Sequence, residues 1–264
     1  MEFTKLLQEL AIATEMAEAL EARRDTVRQY CALALGLTDP STALSSYKEL
    51  VASLGEEDDQ GMLACQLWAA TKVRGLYRDK GIDDGIFLDT MKCFPRFLGE
   101  TLRRTGAYRY DRAWWSYRQL SMVLFRLGQL EYEILSEHKV ISVHIPSDSL
   151  LEPELVDASV EQARAFFKTY YPECAEYPMW CESWLLSPEL KKLLPENSRI
   201  LSFQQRFRIE KVIEDAPDHF EWLFATSADT PLSQLRENTS LQRSAKGHLL
   251  AGGKIGVAEG FLEV

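Results

Sequence analysis

No CxxC pair occurs in this chain of 264 residues, and its five cysteines (Cys31, Cys65, Cys93, Cys174 and Cys181) are odd in number and widely scattered. That spacing supplies neither a zinc site nor a disulfide framework, so a reduced, cytoplasmic protein is the economical reading. Long apolar runs are missing as well. None approaches the ~18 residues that span a bilayer, and the start, MEFTKLLQEL, carries Glu2 where a secretory leader would carry basic residues, so it reads as part of the fold rather than as a membrane or export signal. Positive charge is scarce: 30 Lys and Arg face 40 Asp and Glu, a net of −10, which argues against a nucleic-acid partner for the whole chain. A phosphate loop is also absent. The glycine-rich GGKIGVAEG (252–260) follows a helical pattern and enters a strand, the reverse of the order a phosphate loop needs.

What is present falls into two halves with different periods. From Phe3 to about Phe125 the apolar residues recur at helical spacing, and Leu6, Leu10, Ala13, Ala17 and Leu20 form the stripe of one first helix. A second helix is expected from Asp25 to before Gly36, a third from Asp39-Pro40 to Gly55, and a fourth from the acidic GEEDD (55–59) to Gly81. A fifth opens at Asp83-Asp84 and must kink or split at Pro95. Near residues 126–128 the period becomes two. Leu130, Tyr132 and Ile134 alternate with Gln129, Glu131 and Glu133, and ISVHI (141–145) follows, which predicts a β-hairpin. A helix opening at Pro153 then buries Val156, Val160, Ala163, Phe167 and Tyr170. Strands are expected over 180–186, 200–209 and 255–261, with a last helix from Asp229-Thr230-Pro231 to Gly252. The fold class is α+β: a helical N-terminal domain, 1–125, packed directly on a mixed α/β domain, 126–264. Oligomeric state leaves no mark in these patterns.

Several residues invite chemistry. His144 shares a strand face with Ser142 and lies just before Pro146, where an imidazole could act as a general base at the mouth of a sheet or simply bond the Ser147-Asp148 turn. In WCESWLL (180–186), alternation puts Trp180, Glu182 and Trp184 on one face and Cys181, Ser183 and Leu185 on the other. A carboxylate between two indoles would be desolvated and made more basic, although a half-exposed strand with amphipathic aromatics has the same pattern without chemistry. In ILSFQQRFRI (200–209), a strand would align Ser202, Gln204, Arg206 and Arg208, either lining a cleft for phosphate and amide groups or forming a solvated face. Residues 92–126 carry eight basic side chains against Glu100 and Asp111, interleaved with Trp114, Trp115, Tyr117 and other aromatics. Such a segment suits a nucleotide-bearing ligand or an RNA, or equally an interface between the two halves.

Taken in order, WWSYRQLSMVLFRLGQLEYEI (114–134), ISVHIPSD (141–148), CESWLLSPEL (181–190) and RILSFQQRFRI (199–209) resemble a bacterial acyltransferase-domain family. Its members join a helical N-acyltransferase N-terminal domain to a GNAT-like C-terminal domain, and the resemblance spans most of the chain. It implies transfer of an acyl group from acetyl-CoA or another acyl-CoA to a small-molecule or peptide amine by direct attack. A strand backbone N–H would polarise the thioester and a base would take the amine proton. The resemblance makes His144, Glu182 and Ser183 the catalytic candidates. The GNAT pyrophosphate signature, R/Q-x-x-G-x-G/A between a strand and a helix, does not occur here, so Gln204, Arg206 and Arg208, or the arginines of 103–118, are the candidates to hold the cofactor. The alternative is a non-catalytic binding or regulatory protein that kept the fold and lost the cofactor loop.

Overall fold

A computed structural model describes residues 2–55 and 57–263. The chain divides into two compact units, Met1–Leu127 and Gly128–Val264. The first is helical and is organised around Asp59–Asp79, which buries Met62, Leu63, Cys65, Leu67, Ala70, Val73 and Tyr77 around much of its circumference. A helix apolar on so many sides belongs at the centre of a bundle. Its start is fixed by Asp58, whose carboxylate accepts from Gly61 N at 3.0 Å, and Asp83 caps the helix Asp84–Met91 through Gly85 N at 2.8 Å. Pro95 separates two helices rather than kinking one: it sits in the first turn of Cys93–Thr105, where a missing N–H costs nothing. The short strand β1 (Leu124–Leu127) closes the unit, and Arg126 N donates to Thr90 Oγ1 at 3.0 Å.

The first helical stripe is two helices, Glu2–Glu9 and Thr14–Ala22, not one. Ala11 takes a left-handed φ of 52°. Its N–H donates to Gln8 O while Ile12 N donates to Leu7 O, the paired bonds that end a helix usually carrying glycine at this place. Leu6, Leu10 and Leu20 stay buried on either side of the break, so the periodicity survives it. The second expected helix likewise divides at Tyr30 into Arg24–Gln29 and Cys31–Gly36.

The second unit contains β2 (Leu130–Leu135), β3 (Val140–His144), β4 (Met179–Ser183), β5 (Phe207–Ile213) and β6 (Val257–Leu262), in the spatial order β2-β3-β4-β6-β5. The expected hairpin is β2–β3, antiparallel; β3 and β4 are parallel, joined through the helix Pro153–Tyr170; β6 is antiparallel to both β4 and β5. One sheet face is apolar, with Tyr132, Val143, Ile141, Met179 and Cys181 in register. The helix Pro153–Tyr170 lies on that face: its Ser159 Oγ is 3.0 Å from Tyr132 Oη and accepts from Leu130 N at 3.2 Å. Gly128, at φ 67°, allows the close approach, because a Cβ there would stand 3.1 Å from that of Ser159.

The α+β class holds, and three further local expectations are corrected. Residues 200–209 are not one strand: Ser198 Oγ accepts from Ile200 N at 3.2 Å and starts the helix Arg199–Gln204, after which β5 begins at Phe207. Strand β4 stops at Ser183, whose Oγ accepts from Leu185 N at 3.1 Å and opens a 3₁₀ turn over Trp184–Leu186. Trp184 therefore leaves the face of Glu182 and packs on a second core built from Leu190, Leu201, Phe224, Leu249 and Ile255. The last helix is Ser240–Leu250, because Thr239 and Gln242 form a reciprocal capping box that outweighs the proline signal upstream. Among the described residues no helix is long and apolar enough to cross a membrane.

Candidate active site

The register carries a second, polar face across the sheet. Glu131 and Glu133 of β2 stand beside His144 and Ser142 of β3. Ser142 stands beside Trp180 of β4, and Trp180 and Glu182 stand beside Phe261 and Glu259 of β6. Arg208 and Lys211 extend the face onto β5, past a bulge at Ile209/Lys211. Burial falls steeply along this line. Glu131, Glu133 and Ser142 are 2%, 8% and 3% exposed, whereas Glu182, Arg208 and Lys211 are open to solvent.

His144 ends β3 in the buried part, and its Nε2 lies 2.9 Å from Glu133 Oε2. The imidazole is 23% exposed and the carboxylate side chain 10%. Sequence reading passed over Glu133 as one of the alternating polar positions of a hairpin; the signal that could have found it was its place on the same face as Ser142 and His144.

The registered pairing of the parallel strands stops short of their carboxyl ends. Pairing between β3 and β4 covers Ile141↔Met179 and Ser142↔Trp180, yet the strands run on to His144 and Ser183. Crevices outside the carboxyl ends of such strands are where ligands bind in open sheets. An extended ligand entering there can hydrogen-bond strand edges that no longer bond each other.

The other expected residues are dispersed. Glu182 is exposed on the polar face; partial burial of its carboxyl, then the charges of Glu259 and Asp218, push its pKa above the ordinary carboxylate range, while Lys211 opposes the shift. Ser183 lies on the apolar face beside Ala258, with its hydroxyl engaged as the 3₁₀ cap. Gln204, Arg206 and Arg208 do not share a strand face. Gln204 closes a helix, buried, with Nε2 donating to Ser187 O at 2.7 Å. Arg206 follows it and clamps the start of Pro153–Tyr170, donating to Asp157 Oδ1 at 2.9 Å and Pro153 O at 3.2 Å. Arg208 is on β5, ion-paired to Glu210 and, at 3.7 Å, to Glu263. Arg199, which the strand reading obscured, pairs with Glu152 at 2.8 Å. Arg199 and Arg206 thus flank the first turn of the crossover helix, where the absent glycine signature would lie. The loop before it bends at Leu151, a non-glycine at φ 54°.

The basic aromatic segment is internally engaged. Arg118 lies 4.3 Å from the Trp115 ring centroid, Arg112 stands over Trp114 at 5.8 Å, and Arg104 bonds Asp111. Among the described residues no group of three or more His, Cys, Asp or Glu side chains could hold a metal ion.

A helical unit followed by a mixed sheet, with one parallel pair parting beside a crossover helix, is the architecture of a GNAT-like acyltransferase fold. Residues 1–122 match the N-acyltransferase N-terminal domain and residues 124–262 the GNAT-like C-terminal domain, and the chain belongs to this family. Three solved structures are similar to it. An acyltransferase in complex with decanoyl-CoA and teicoplanin superposes with a TM-score of 0.82 at 23% identity, over 98% of this chain and 86% of that one. An acyltransferase mutant in complex with octanoyl-CoA gives 0.82 at 22%, over 98% and 87%. An acyltransferase in complex with decanoyl-CoA gives 0.72 at 21%, over 100% of both. At these identities the likeness establishes the fold. No curated protein matches the chain.

Proposed function

We propose that the chain is an acyl-CoA-dependent N-acyltransferase, with the thioester held where β3 and β4 part and His144 as the general base. The observation that carries the reading is the His144–Glu133 pair at the carboxyl end of β3, beside that parting. Similar folds bound to decanoyl-CoA and octanoyl-CoA support an acyl-CoA donor. A pantetheine arm, an extended chain with two amides, suits the strand edges of the opening. The loop 145–152 has no glycine and carries Asp148 and Glu152, so it makes a poor diphosphate cradle by itself. The guanidiniums of Arg199 and Arg206 supply the positive charge instead, bidentate donors being well matched to phosphate oxygens. Gln204, locked beneath Ser187, shapes that wall, and Arg208 stands further out on β5.

The acyl donor brings a thioester carbonyl activated toward amines. As the amine nitrogen bonds to the carbonyl carbon, the C–S bond breaks, His144 takes the amine proton, and that proton is returned to the departing thiolate, giving amide and free thiol. Glu182, on the open side of Trp180, attracts the ammonium form of the acceptor, and Ser183 holds the end of β4 in place. The acceptor is a small-molecule or peptide amine; one similar structure holds teicoplanin. The five free thiols suit a reducing, cytoplasmic setting.

Calorimetry with decanoyl-CoA, followed by turnover with a panel of amines, tests the reading. Micromolar binding and amide formation are expected, with His144→Ala slowed by about 10²–10⁴ in kcat. Silence at millimolar donor would instead favour a non-catalytic binding protein on the same fold.

A further inference from the structure

A hollow in the helical unit has no part in the acyl-transfer reading. Its volume is about 450 Å³, within the ~300–1,000 Å³ of small-molecule sites and far above the water-sized voids that packing leaves. Phe3 and Thr4 of Glu2–Glu9 line it, with Leu20 of Thr14–Ala22, Val27 of Arg24–Gln29 and Trp68 of the central helix. The chain breaks at Ala11 and Tyr30 set short helices around Asp59–Asp79, and side chains as small as Thr4, Val27 and Cys31 leave the space between them unfilled. The floor is apolar: Leu20 and Val27 are 1% and 8% exposed, and the Trp68 indole is half-buried. Water against such walls makes few hydrogen bonds, so an apolar body displaces it favourably. The charged residues lining the hollow are both arginines, Arg24 and Arg28, and their exposure marks its mouth. Arg24 is bonded to Glu21, whose carboxyl is held below the ordinary carboxylate range by the Thr4 hydroxyl and then by Arg24. Arg28 pairs at 3.0 Å with Asp25, a carboxylate whose side chain is 94% exposed. An ion pair so open to water contributes little, which leaves the Arg28 fork able to turn to a better placed anion and donate to it bidentately. The Lys72 ammonium, 5.1 Å from the Trp68 ring centroid, adds positive charge beside the indole wall.

We infer that this hollow binds a medium-chain fatty carboxylate. The alkyl chain lies against Leu20, Val27 and Trp68, and the carboxylate is held at the mouth by Arg28, with Arg24 beside it. A flexible chain suits walls of mixed aliphatic and aromatic character, and one terminal anion suits a mouth whose two guanidiniums stand one helical turn apart. Every residue involved belongs to the first unit, so the inference holds or fails independently of the acyl-transfer reading.

Cys31 provides a local readout. It lines the hollow and is half-buried, whereas Cys65, Cys93, Cys174 and Cys181 are buried. The full chain is treated with N-ethylmaleimide while decanoate is titrated, and modified Cys31 is quantified by peptide mass spectrometry. Decanoate at about ten times its half-protecting concentration should slow labelling about tenfold, because only empty hollows react. Decanol, which lacks the anion, and decylamine, which reverses the charge, should protect far less at the same concentration. Arg28→Ala, at an exposed position where folding is not at stake, should raise the half-protecting concentration of decanoate by about tenfold. Arg28→Lys should raise it by less, since the charge remains while the fork is lost. Labelling that decanoate leaves unchanged or accelerates, protection that decanol or decylamine matches, or a half-protecting concentration indifferent to Arg28→Ala would overturn the inference.

Discussion

The polar face of the second unit's sheet has two ends that look alike in sequence and differ in physics. On β2 and β3, Glu131, Glu133 and Ser142 are shielded from water and His144 is half-buried, and a carboxylate there is matched to the imidazole. On β4, β6 and β5, an exposed Glu182 faces a half-buried Glu259 in register, two like charges, with the exposed Lys211 bonded to Glu259 at 2.8 Å. Shielding makes the first arrangement directional, since an interaction in a low-dielectric setting is strong only when its geometry is right. Solvent makes the second permissive, because exposed charges are screened and their side chains are mobile. Proton transfer, which needs a fixed donor–acceptor distance, suits the shielded end. Attraction of a cationic acceptor, which needs only the correct sign of charge, suits the open one.

The widest separation between the two ends is expected in turnover. His144→Ala should reduce kcat by about 10²–10⁴, whereas Glu182→Gln should act mainly on KM for the amine and leave kcat within about tenfold. Steady-state kinetics of the two variants on one amine series checks this. Equal losses of kcat would move the base to the open end. Folding stability should separate them next. Glu133→Ala removes a largely buried carboxylate bonded to a half-buried imidazole and should cost about 1–3 kcal/mol in urea unfolding, while Arg208→Ala, on an exposed strand position, should change stability by less than about 0.5 kcal/mol. Arg199→Ala sharpens the comparison at the donor side: loss of one charge-assisted contact should raise KM for acyl-CoA by about tenfold with kcat preserved. An unchanged KM would place the diphosphate elsewhere.

The fold was legible wherever a local rule carried the structural information. Asp58 and Asp83 mark helix starts that the structure keeps, Pro95 marks a split between two helices, and the period of two marks the β2–β3 hairpin. The misread segments are those where two rules competed. Leu201, Phe203 and Phe207 satisfy an alternating pattern, but Ser198 caps a helix whose Phe203 ring then meets Phe207 at 5.0 Å, and the cap decided the outcome. Ala11 ends a helix in a conformation that usually advertises itself with glycine. The candidate site was half legible for the same reason. His144 stood out by residue type, whereas Glu133 becomes visible only when strand pairing brings distant positions onto one face. Arg199 and Arg206 meet at the crossover helix through a tertiary contact that no spacing in the chain encodes.

The smallest effect tests the open end alone. Partial burial and then Glu259 and Asp218 raise the Glu182 pKa in the folded chain above its unfolded value. Between those two values the folded state binds the extra proton, so stability falls as pH rises through that window and the loss persists at neutrality. Below the ordinary carboxylate range both states are protonated and the penalty vanishes. Glu182→Gln should therefore raise stability at pH 7 by a small amount, roughly 0.2–0.5 kcal/mol given how exposed the side chain is. The gain should shrink toward pH 3 and, being a surface effect, also in high salt. Thermal unfolding of the two proteins across this pH range measures it. A loss of stability at pH 7 would mean that attraction to Lys211 outweighs the Glu259 repulsion, and the open end would then be a closed ion network with little unsatisfied charge to offer an ammonium ligand.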